Sequence, residues 1–195
     1  VAVTSESLRA DTQSRILDAA FRAVATFGLS RFTMEDVARE SDLSRQSVYR
    51  YFDSKEALLT ALVYREEEAF LRGVREAYAR HEVLEDAIRE AVTFCFHLAR
   101  SHPLLDRLLA AEPELLLPYL TTRGGGVIER ATRVMEELAA NRPDVDQALV
   151  HRTAEVAARL TVSYALTPTD EPLDEVAAEI ARILSRALSP KEATG

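Results

Sequence analysis

Between Ser44 and Arg50 the chain reads SRQSVYR, and every member of that run except Val48 carries a group able to bond a nucleic-acid base or phosphate. Arg pairs bidentately with guanine and Gln with adenine in the major groove. Arg45 and Gln46 are therefore the base-reading candidates. Tyr49 can contact a thymine methyl or a phosphate, while Ser44, Ser47, Arg50 and Tyr51 are short or flexible donors for the nucleic-acid backbone. Thr33 and Lys55 fall where helices are expected to begin. Free N–H groups and the helix dipole already favour phosphate there, so these two are candidates for setting register rather than reading sequence.

Such a face is useful only if rigid elements hold it out. Ile16, Ala19, Ala20, Ala23, Val24 and Phe27 recur at helical spacing, and Gly28 follows as a stop, which predicts a helix over 12–27. Thr33 with Asp36 three residues on forms a near capping box and opens a short helix over 34–40. Ser41, Asp42 and Leu43 make a tight turn, and Ser44 caps a third helix running to about Tyr51. Val37, Leu43 and Val48 form an apolar triangle, with the small Ala38 at the crossing and helix one as the third wall. From Lys55 a long helix runs to about Arg80. Further helices are expected at 83–101, 103–111, 126–140, 144–165 and 173–188, with the run Gly124–Gly126 as a flexible connection. The expected fold is all-α with about nine helices: a helix-turn-helix domain at 1–55 and a helical domain at 56–195.

The chain of 195 residues carries a net charge of −8, an unpromising sign for a nucleic-acid binder. Its distribution removes the objection. Residues 1–55 hold eight Lys/Arg and eight Asp/Glu, so the acidic excess lies wholly in the second part. No apolar stretch approaches the roughly 18 residues of a membrane span, and the polar first residues lack a secretory signal, which makes a cytoplasmic location the expectation. A metal site is not expected. His81, His97, His102 and His151 lack ligand spacing, and Cys95 stands alone. No catalytic constellation or phosphate-binding loop can be assembled, so neither an enzyme nor a cofactor is expected.

The segments RILDAAFRAVATFGLSRFT, VARESDLSRQSVYRYF and YFDSKEALL resemble the TetR family of transcriptional regulators over about residues 12–62. One departure is Asp42, where the family usually has Gly. Asp tolerates the left-handed conformation better than most residues, so the turn should survive. The resemblance implies a homodimer that holds double-stranded DNA at a near-palindromic operator. It also implies release when an unidentified small-molecule effector enters the C-terminal domain and moves the connecting helix at 55–75. A regulator without a ligand, and a helical enzyme, are the alternatives.

Beyond residue 65 the candidates come from pattern alone. Phe94, Phe96, His97, His102, Tyr119, Met135 and Tyr164 are aromatic, soft or polar groups that either line a pocket or serve as core packing. Val176, Ile180, Ile183 and Ala187 form one apolar stripe of the last helix, and Ala177, Leu184 and Leu188 a second, which is more than one buried face needs. Leu149, Val156 and Leu160 in 145–164 lie opposite Ala148, Ala157 and Val162. The expected dimer interface draws on Leu149, Val156, Leu160, Val176, Ile180, Ile183, Leu184 and Ala187.

Overall fold

The structure is a computed structural model that describes residues 5–122, 124–140, 142–167 and 169–190; the side chain of Tyr119 lies outside the described residues. Among these the chain forms ten helices and no strand. They are α1 (Ser5–Phe27), α2 (Met34–Ser41), α3 (Arg45–Tyr51), α4 (Lys55–Ala79), α5 (Leu84–Ser101), α6 (Pro103–Ala111), α7 (Pro113–Leu120), α8 (Gly125–Ala139), α9 (Gln147–Leu166) and α10 (Leu173–Leu188). The helix missing from the sequence expectation is α7. Its two prolines read as breakers, yet Pro113 occupies the first helical position, where no N–H is needed, and Pro118 sits within a helix of only eight residues. The glycine run is also corrected, because Gly125 and Gly126 form the first turn of α8.

The helices divide into two compact units, the first reaching Glu68 and adding Pro103–Pro113, the second comprising Ala69–His102 and the chain from Glu114 on. In the first unit Ile16, Val24, Phe32, Val37 and Val48 are buried together, and Leu58 and Leu62 of α4 and Leu104 of α6 complete their core. Each such side chain contributes roughly 1.5–3 kcal/mol on burial. The opening turns of α4 thus belong to the first unit by packing.

In the second unit α5 packs on α9 and α10, and α8 packs on α9. Val92 and Phe96 of α5, Ala157 of α9 and Val176, Ala177, Ile180 and Leu184 of α10 share one core. The N–H of Asp146, ahead of α9, donates to the Leu188 carbonyl at 2.8 Å and ties α10 down at its end. Gly73 of α4 is a notch for the Phe94 ring, since a Cβ there would lie 2.1 Å from Phe94 Cζ. Phe70 packs beside the same ring at 6.3 Å between centroids.

This packing narrows the expected interface. Val176, Ile180 and Leu184 are buried in the chain's own core, because the side of α10 that carries them faces α5 and α9. Leu149 and Leu160 are half-buried against the same unit. Val156, Ile183 and Ala187 remain exposed.

Candidate nucleic-acid interface

The turn between α2 and α3 is built by local chemistry. Asp42 takes φ 54° and ψ 43°, the left-handed conformation expected of it, and caps α2 with its N–H. Arg15 Nη2 of α1 donates to the Ser41 carbonyl at 2.8 Å and Arg22 Nη2 to the Glu40 carbonyl at 2.9 Å, so α1 satisfies the carbonyls that end α2. At the other end Thr33 and Asp36 form a full capping box. The Thr33 hydroxyl donates to Asp36 Oδ2 at 2.7 Å and accepts from the Asp36 N–H at 3.2 Å, while the Thr33 N–H donates to Oδ2 at 2.9 Å. These bonds, the Thr33 hydroxyl foremost, hold the Asp36 carboxyl below its ordinary pKa.

Ser44 caps α3, accepting the Ser47 N–H at 3.1 Å, and its hydroxyl lies 2.9 Å from that of Ser47. With Val48 fully buried beneath, Arg45, Gln46, Tyr49 and Arg50 are exposed on the other side of the helix. Arg45 and Tyr49 stand one turn apart, with the guanidinium carbon 5.4 Å from the ring centroid. Interaction with Tyr49 raises the Arg45 pKa above its ordinary value. Tyr51 is half-buried against the core with Arg50 over its ring.

Lys55 opens α4, but its ammonium already has partners. Nζ donates to the Ser30 carbonyl at 3.3 Å and lies 4.3 Å from the Phe32 ring centroid. It braces the loop between α1 and α2. A second brace, unforeseen in the sequence, is Glu112 just after α6. Its carboxylate accepts the Leu29 N–H at 2.6 Å and the Ser30 N–H at 3.0 Å. Bonding to Ser30, chiefly, keeps this carboxyl below its usual pKa. Gly28 makes the approach possible, having φ 85° and no Cβ, which would stand 2.6 Å from Oε2. Nothing local marks Glu112, which lies 83 residues from Leu29.

Sequence comparison agrees with this geometry. Residues 16–62 match the family model for bacterial regulatory proteins of the tetR family, and residues 84–186 match that for the bacterial tetracyclin repressor C-terminal domain. The chain belongs to the TetR family of transcriptional regulators. An uncharacterized HTH-type transcriptional regulator of Mycobacterium tuberculosis is 33% identical over 186 residues, covering 92% of this chain and 86% of that protein. The HTH-type transcriptional regulator AlkX of the same species is 29% identical, covering 93% and 87%. Among solved structures, the TetR family repressor AlkX of a Dietzia strain, implicated in biodegradation of n-alkanes, is 26% identical with a TM-score of 0.66, covering 89% of this chain and 93% of that one. As a TetR-family member the chain is a DNA-binding transcriptional regulator and not an enzyme. No helix among the described residues is long and apolar enough to cross a membrane.

The second unit of this TetR-family regulator contains a cavity of about 80 Å³ bounded by α4, α5, α8, α9 and α10. Of the expected pocket residues whose side chains are described, only Met135 lines it. Phe96 and Tyr164 pack in the core with tilted rings 6.2 Å apart, Phe94 sits on Gly73, and His97 is exposed and 3.1 Å from Asp174. His102 ends α5 through its N–H to Leu98 and is likewise outside the wall. The cavity wall includes the small residues Ala91, Cys95, Ala139, Ala154 and Ala157 beside Tyr78 and larger aliphatic side chains. Those small residues at helical spacing were the overlooked signal. Burial pushes the Cys95 thiol up to about 12, which keeps it neutral.

Proposed function

We propose that this protein is a homodimeric repressor that holds a near-palindromic operator in the cytoplasm and releases it when a small molecule occupies the cavity of the second unit. The observation that carries the reading is the course of α4. Leu58 and Leu62 of this uninterrupted helix are buried in the DNA-reading core, and Val74 and Tyr78 of the same helix line the cavity. A molecule that prefers a different seating of Val74 and Tyr78 biases the reading head by that preference and no more. Arg45 and Gln46 read bases, helped by Tyr49. Ser44, Ser47, Arg50 and Tyr51 meet the phosphate backbone, and Thr33 and Lys55 keep the loops around it in register.

Exposed Val156, Ile183 and Ala187 supply the apolar part of the interface with a second copy, with Leu149 and Leu160 at its margin. Pairing sets two recognition helices in successive major grooves about 34–36 Å apart. Selection from random-sequence duplexes followed by anisotropy titration tests this. The expected result is a two-fold-related site bound with steep salt dependence. Absence of salt-sensitive, sequence-selective binding ends the repressor reading. One observation favours a regulator without a ligand: the cavity of about 80 Å³ is well below the roughly 300 Å³ at which small-molecule sites begin. Under that reading no apolar compound alters operator affinity.

A further inference from the structure

We infer that the cavity takes an uncharged, slender, largely apolar molecule bearing one hydrogen-bonding atom, which the Thr161 hydroxyl holds. This rests on the effector reading above and adds the chemical class. Among the described residues the wall contains no Lys, Arg, His, Asp or Glu, so a carboxylate or ammonium entering it would leave water without a counter-charge, a loss that burial makes severe. Arg142 lies over the ring of Tyr78, a wall residue, and is bound by both Asp144 oxygens at 2.9 and 2.8 Å. Cys95 offers no anion, its thiol being held neutral by burial.

Thr161 Oγ1 is buried without a hydrogen-bond partner and belongs to the wall. A buried hydroxyl left unpaired is costly and rare. A ligand oxygen supplies what it lacks, and a hydroxyl serves a donor or an acceptor equally. Size sets the shape. A cavity of about 80 Å³ is smaller than the roughly 150 Å³ that accommodates benzene, so a ring or a six-carbon chain alike needs a wall side chain to move. A narrow chain enters by displacing unbranched, adaptable Met135.

The test uses the full chain, with calorimetric titration and operator anisotropy for 1-hexanol, hexanoate and hexylammonium at pH 7. 1-Hexanol is expected to bind at least tenfold more tightly than either ion and to weaken operator binding. Thr161→Val, with unchanged helicity, should lower hexanol affinity several-fold. Ala157→Leu, or Cys95→Leu if the first variant unfolds, should abolish hexanol binding by filling the space. Hexanoate or hexylammonium binding as tightly as hexanol, and lost in the filled variant, overturns the uncharged class while the effector reading stands. Hexanol bound in the cavity without any change in operator affinity overturns the effector reading instead. Failure of hexanol to bind, binding that survives cavity filling, or Thr161→Val binding hexanol as the parent does, overturns the inference.

Discussion

Arg45 and Tyr49 form the proposed unit of recognition at the scale of single residues: the ring lies against the guanidinium in the absence of DNA, so less side-chain freedom would be lost on binding. Arg45→Ala is expected to cost ~1–3 kcal/mol on the preferred operator and to relax preference at one base pair. Lys55→Ala should weaken all duplexes alike, because Lys55 acts through the Ser30 carbonyl and the Phe32 ring. Anisotropy titrations on single-base operator variants distinguish the two, and equal losses on every variant for both mutants would refute the division of roles. Asp42 carries a third prediction. At φ 54° a β-branched Asp42→Val should lose ~1–2 kcal/mol in urea unfolding, and Asp42→Gly should not be less stable. Asp42, Ser44 and Thr33 were legible in the sequence because turns and caps are made by neighbours in the chain. The partners of Lys55 were not, since Ser30 is 25 positions away.

At the scale of elements, the brace from Glu112 to the α1–α2 loop joins parts of the chain that no periodicity relates. Its folded pKa is depressed, so its contribution to stability is complete above the unfolded value of about 4.3 and is lost as pH falls through the lower folded one. Glu112→Gln keeps the shape but weakens two charge-assisted bonds. Urea unfolding should show a loss of ~1 kcal/mol at pH 7 that shrinks below pH 4. A loss that is constant with pH would show that the carboxylate charge is irrelevant to the brace. Apolar spacing made nine of the ten helices legible. The tenth, α7, was hidden because proline signals a break by its chemistry, while only its position in the helix tells whether a hydrogen bond is lost.

At the scale of the whole molecule, charge and pairing decide affinity. The net charge of −8 falls outside the reading head, so DNA binding should depend on a few cations and drop steeply with salt. Val156→Lys with Ile183→Lys puts charge on exposed apolar positions and should leave a folded monomer by light scattering. Affinity for a full operator should then fall to that for a half-site. A dimer that persists in this double mutant would place the interface elsewhere.

The sequence by itself determined the reading head: its caps, its left-handed turn and the polar face of α3 follow from residues within a few positions of one another, where backbone geometry alone sets the neighbours. Tertiary structure alone decided that α10 buries Val176 and Ile180 of one apolar stripe together with Ala177, Leu184 and Leu188 of the other and leaves Ile183 and Ala187 free, because the stripes have the same period and only contact with α5 and α9 separates their members. It also decided the cavity. A void is left where side chains of five helices meet, the small ones coming from α5, α8 and α9, and that convergence is a property of packing in three dimensions rather than of any segment.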